Sequence, residues 1–209
     1  MNFIEFQKKY KNAPLIYSRD VVREAGNQKQ AARNQLGRWL AKKLLLKLKK
    51  GVYLLRNEAN PDLNWIANQL YEPSYISLEY ALSFYDLIPE RVVDITSITT
   101  LKTKTFQNEL GHFVYRHLNP KAFRGFKKME DSQQPFLIAE PEKAVVDFLY
   151  FNLPAFGKEP TEILKESYRF QNYEELNKSK LEQWAKLFGS AKLMRTINEV
   201  SQMIAKESK

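Results

Sequence analysis

The 209-residue chain has no cysteine, which excludes disulfides and thiolate metal sites and suits a reducing cytoplasm. Its two histidines, His112 and His117, cannot fill a zinc site unaided, and in a segment that reads as strand they face opposite ways and are read as structural. No Walker A loop, Gly-rich dinucleotide loop or Ser-His-Asp order is present. FGSAK at 188–192 has the Gly-Ser pair with which nucleotidyltransferase sites begin, but no paired aspartates follow to hold magnesium. The expectation is a protein that is not an enzyme and takes no cofactor or metal. Long hydrophobic runs are also missing: AVVDFLYFNL is short and carries Asp147, and MNFIEFQKKY lacks the pattern of a signal peptide. No membrane partner is expected, and the predicted location is the cytoplasm.

What the chain has is positive charge in one place. Residues 1–60 hold 14 Lys and Arg against 4 Asp and Glu, a net +10, whereas residues 61–209 hold 19 against 20, a net −1. Such asymmetry points to one part that meets a polyanion and another that does something else. A merely solvated surface spreads its lysines about.

The basic part reads as three helices and a hairpin. NFIEFQKKYK places Phe3, Phe6 and Tyr10 at helical spacing. Ser18 is an N-cap for SRDVVREA, with Arg19 beside it, and Gly26-Asn27 closes that helix. A third helix runs from about Gln28 to Lys43, with Ala32, Leu36, Trp39 and Leu40 on one face and Gln30, Asn34, Arg38 and Ala41 on the other, Arg33 at the flank. The period then changes to that of strand, where LLLKL and GVYLL flank Lys49-Lys50-Gly51.

This order is that of a winged helix-turn-helix, in which the third helix enters the major groove and the hairpin touches the backbone. Lys47, Lys49 and Lys50 are then phosphate anchors, while Arg33 and Arg38 suit guanine and Gln30 and Asn34 suit adenine. Ser18 and Arg19 join this DNA-facing set. The rival reading of the lysines is a charged turn that protects a strand edge.

The predicted domains are residues 1–58, the winged helix-turn-helix, and 59–209, an α+β domain. Asn60 and Pro61 start a connecting helix ending near Tyr71. SYISLEYALSFYDLIPE gives a helix capped by Ser77. RVVDITSITT, FQNELGHFVYRHL, AFRGFKKM and PFLIA give a small, mostly antiparallel sheet. AEPEKAVVDFLYFNL is an apolar helix begun by Pro141, and three polar helices follow from about Pro160 as a helical tail.

LLKLKKGVYLL, SLEYALSFYDLIPE and AEPEKAVVDFLY, in this order along the chain, resemble the AbiEi family, the antitoxins of bacterial abortive-infection toxin–antitoxin systems. The resemblance runs over nearly the whole chain. It implies an N-terminal domain that represses its own operon by binding inverted repeats in the promoter. It also implies a C-terminal domain that counters a nucleotidyltransferase-like toxin without a stable complex, the type IV mode, as part of antiviral defence. The motif residues Ser77, Glu79, Glu142, Lys143 and Asp147 have no transferable chemistry. They are read as capping and ordinary helix-surface pairs, with Lys143 and Asp147 one turn apart, or as a functional surface beside these helices. The alternative is an effector-sensing winged-helix transcription factor with a pocket lined by Phe113, Tyr115, Phe123 and Phe126.

Overall fold

A computed structural model describes residues 2–11, 13, 15–56, 62–130, 134–156 and 159–207. The chain is α+β and divides into two compact units, residues 1–61 with 106–112, and residues 62–105 with 113–209. The boundary expected at residues 58 and 59 falls outside the described residues.

In the first unit, α1 (Phe3–Tyr10) starts with a reciprocal cap: Glu5 N donates to Asn2 Oδ1 at 2.9 Å, and Asn2 N donates to Glu5 Oε2 at 3.0 Å. The next elements are β1 (Ile16–Tyr17), α2 (Ser18–Glu24), a 3-10 turn over Gly26–Gln28, α3 (Lys29–Ala41), β2 (Leu45–Lys49) and β3 (Val52–Leu55). The strands form a three-stranded antiparallel sheet in the order β1-β3-β2. Strand β1 is absent from the sequence expectation because two residues are too few to show a period.

Phe6, Ile16, Val21, Leu36, Trp39, Leu45 and Leu55 form the core of this unit, with the Phe6 and Trp39 ring centres 4.4 Å apart. Burying each such large side chain stabilises the unit by about 1.5–3 kcal/mol. The turn between β2 and β3 requires Gly51, whose φ is +78°, a region where a Cβ clashes with the backbone. Ser18 is not the expected N-cap. The cap position is Tyr17, and Ser18, the first helical residue, donates its backbone N–H to Gly51 O at 2.8 Å.

The second unit begins with α4 (Leu63–Leu70), capped by Asp62, whose Oδ1 accepts from Asn64 N at 2.8 Å and Trp65 N at 3.3 Å. Asn60 and Pro61, expected to start this helix, lie outside the described residues, and the cap is Asp62 instead. Next come β4 (Ser74–Ile76), α5 (Leu78–Phe84), β5 (Ile95–Thr99), β6 (Lys104–Asn108), β7 (Gly111–His117), β8 (Phe126–Met129) and β9 (Phe136–Ala139), of which residues 106–112, from the end of β6 to the start of β7, belong to the first unit. The helices α6 (Pro141–Asn152), α7 (Pro160–Glu166), α8 (Lys178–Lys186) and α9 (Ala191–Glu207) complete the chain.

The six strands run in the order β6-β7-β5-β4-β9-β8. The sheet is mixed rather than mostly antiparallel: β4/β5 and β8/β9 are antiparallel, whereas β4/β9 and β5/β7 are parallel. Parallel partners such as Ile76 and Ile138 are distant in sequence, and local alternation carries no information about them. Helix α6 is buried from Glu142 to Leu149 without a break, the charged residues Glu142, Lys143 and Asp147 included. Among the described residues, no helix is long and apolar enough to cross a membrane.

Candidate functional site

The exposed side of α3 carries Gln30, Arg33, Asn34, Gly37, Arg38 and Ala41, because Leu36 and Trp39 turn the opposite side into the core. Gln30 Nε2 donates to Asn34 Oδ1 at 3.0 Å, one turn on, so the two amides form one polar unit with donors and acceptors still available. Between α2 and α3 lies an open groove of about 710 Å3 lined by Ser18, Arg19, Arg23, Asn27, Lys29 and Arg33. Arg19 stacks its guanidinium 4.9 Å from the centre of the Tyr17 ring, and Arg23 pairs with Asp20 at 3.1 Å. Arg23, Asn27 and Lys29 are groove residues that the sequence reading omitted. Their signal was only their place at the end of α2 and the start of α3.

The hairpin lysines differ from one another. Lys47 and Lys50 are exposed, but Lys49 is half-buried with its ammonium 5.8 Å from the centre of the Phe106 ring. Phe106 belongs to the 106–112 segment of the same unit. That segment also supplies Asn108, whose Nδ2 donates to Leu48 O at 3.1 Å, and Glu109, which pairs with Arg56. The hairpin is thus braced from a part of the chain that local sequence reading assigned to the sheet alone.

On the unit's other side, Glu24 holds Lys9 Nζ at 2.6 Å and Tyr10 OH at 2.9 Å, joining α2 to α1. The hydrogen bond from Lys9 keeps the Glu24 carboxyl below the usual range, and burial together with Glu24 pushes Tyr10 up to about 12.

The second unit contains a buried charge network at the motif residues. Lys143 and Asp147 are both 0% exposed and form an ion pair one turn apart on α6. Ser77 Oγ donates to Asp147 Oδ2 at 2.8 Å, Tyr75 OH donates to the same oxygen at 3.0 Å, and Lys143 Nζ donates to Tyr75 OH at 2.9 Å. The Lys143 ammonium also lies 4.9 Å from the centre of the Phe188 ring.

The expectation of an ordinary helix-surface pair is therefore wrong for these two residues. The i, i+4 spacing is the same for a surface pair and a buried one, and the signal in the sequence was the apolar run on both sides of Asp147, Ala144 to Val146 and Phe148 to Phe151. Ser77 stands at the N-cap position of α5 but makes no side-chain cap, because its hydroxyl is committed to Asp147. The next residue, Leu78, has φ of +60°, which costs an L residue about 1–2 kcal/mol.

Burial lowers the Lys143 ammonium and raises the Asp147 carboxyl from their ordinary values, and their mutual attraction opposes both shifts. Tyr75, which completes the network, was not among the expected site residues. Glu142 is buried, and its Oε1 accepts from Asn177 N at 3.1 Å. Glu79 is half-exposed in the first turn of α5.

Other expected features have structural explanations. Ser190 Oγ accepts from Leu193 N at 3.2 Å, so Gly189-Ser190 forms the turn into α9. Phe113 and Tyr115 are core residues, and Phe123 and Phe126 pack 5.0 and 4.7 Å from the Tyr75 ring centre. His117 Nδ1 lies 2.9 Å from Leu101 O. Among the described residues, no three His, Asp or Glu side chains converge as a metal site requires.

A scan against protein-family models gives no match, and no curated protein matches the chain.

Proposed function

We propose that the first unit is a winged helix-turn-helix that binds duplex DNA, with α3 in the major groove and the β2–β3 hairpin along the phosphate backbone. The observation that carries this reading is a single exposed helix face bearing Gln30, Arg33, Asn34 and Arg38, beside a groove lined by Arg19, Arg23 and Lys29. Long cations anchor phosphates whatever the sequence, and amide and guanidinium groups pair with base edges. The unit holding these residues also holds the chain's whole basic excess.

The ordered motifs extend the reading: the chain is a cytoplasmic repressor of the AbiEi type that binds inverted repeats in its own promoter. Its second unit is the antitoxin part and opposes a nucleotidyltransferase-like toxin without a stable complex. The effector-sensing alternative loses support because Phe113 and Tyr115, expected to line its pocket, fill the core instead.

The experiment is selection of binding sites from random duplexes by the full chain and by Asn34→Ala and Arg38→Ala. Each substitution is expected to relax preference at one position of the selected site, by about 1–3 kcal/mol, with little effect on random DNA. Unchanged preference in both variants would remove α3 from the major groove.

A further inference from the structure

Gly37 sits in the middle of α3, a helix with no other glycine. Each of the other described glycines has a positive φ, a conformation that accounts for it; Gly37 does not. A Cβ built at Gly37 meets no atom within 4 Å, and the residue is exposed. Neither backbone conformation nor internal packing requires glycine here. Glycine is nonetheless among the poorest residues for a helix interior, so the fold is weaker for having it. What remains is a requirement from outside the unit.

The neighbours show what that requirement is. By helical spacing, Gln30, Gly37 and Ala41 run along the midline of the exposed face, with Arg33 on one flank and Arg38 on the other. At Gly37 and Ala41 the midline is shallow, with Gln30 about two turns before Gly37, and the flanks are long and cationic. A glycine at such a place lets a ligand approach the helix backbone itself. An α-helix with its side chains is about 10–12 Å across and the B-form major groove is about 12 Å wide, so the fit leaves little room at the leading edge. A-form RNA has a deep, narrow major groove that a helix cannot enter.

From this we infer that Gly37 is the point of closest approach between α3 and the floor of a B-form major groove, and that it determines how deeply the helix seats. The arginines on either side then reach bases and phosphates that a bulkier midline would hold out of range. This rests on the DNA-binding reading above, and it names one residue and one form of duplex that the reading leaves open.

The test uses the full chain and a duplex selected by the wild type from a random DNA pool. Gly37→Ala and Gly37→Gln both place good helix formers at the position, and both are expected to raise the thermal midpoint or leave it unchanged. Affinity for the selected duplex is expected to fall by about tenfold or more in Gly37→Gln and less in Gly37→Ala, with a smaller loss on random duplex. An RNA duplex of the same sequence should bind wild type and variants alike. Binding by both variants within about twofold of wild type would overturn the inference while leaving the DNA reading intact. A clear fall in thermal midpoint would also overturn it, by showing that Gly37 serves internal packing. A wild type that selects no DNA sequence would overturn the reading on which the inference stands.

Discussion

Replacing Lys143 by methionine removes the ammonium from a site with no contact to water and leaves Asp147 with two donors, Ser77 Oγ and Tyr75 OH. An uncompensated buried charge costs about 3–5 kcal/mol. The carboxyl can escape part of that cost by taking a proton, because burial already raises it and the opposing attraction of Lys143 is gone. A folded-state pKa raised above the unfolded value gives stability that is fully present below the unfolded pKa and is lost as pH rises through the folded one. The destabilisation by Lys143→Met is therefore smaller at about pH 5 than at about pH 8.

Asp147→Asn has the opposite dependence. Burial depresses the remaining Lys143 ammonium, so the folded state loses stability as pH falls through that depressed value. Both single variants leave the same pair broken, so the double variant should cost less than their sum. Urea unfolding followed by tryptophan fluorescence and circular dichroism at two pH values measures all four proteins. A cost below about 1 kcal/mol in each single variant, the range of exposed pairs, would refute the buried network. Equal costs at both pH values would refute the electrostatic account of it.

Two further substitutions test the packing. At Gly125, with φ of +79°, a Cβ would fall 2.9 Å from Trp184 Cε2 and 3.1 Å from Lys143 Cγ. Gly125→Ala should therefore cost about 2–4 kcal/mol from backbone strain and overpacking together; a loss below about 0.5 kcal/mol in chemical denaturation would contradict this. Glu24 has a carboxyl held below its usual range, so its ties to Lys9 and Tyr10 stabilise the first unit above about pH 4.5 and are lost as pH falls through the folded value. Thermal melts across that acid range should show a shallower fall for Glu24→Gln than for wild type, and parallel curves would exclude the assignment.

Much of the helical framework can be read directly from the residues. Phe3, Phe6 and Tyr10 mark α1, Leu36 and Trp39 mark the inner side of α3, and Pro141 marks the start of α6, because each signal is local to one helix. Strand pairing is not local: the partners of Ile76 are Ser97 and Ile138. The same limit hides the brace on the hairpin, where Asn108 reaches Leu48 across sixty residues of chain. The exposed residues of α3 were legible because a helix with a core side has a predictable outer side. Lys143 and Asp147 were found as a pair but assigned to the surface, since their burial depends on partners from β4 and the residue after it, Tyr75 and Ser77. Gly37 carried no signal in the sequence, because only packing shows that nothing near it requires glycine.

The central claim is that the first unit binds DNA, and the salt dependence of binding by the full chain to promoter duplex tests it most directly. Each phosphate neutralised contributes a slope of about 0.9 in the logarithm of affinity against the logarithm of salt concentration. Lys47 and Lys50 are the exposed lysines of the β2–β3 hairpin. Replacing both by alanine should weaken all sequences alike and flatten the slope by about one to two units. A double variant with the wild-type slope would contradict the hairpin's place on the backbone, and a wild type that fails to bind duplex DNA at low salt would contradict the claim itself.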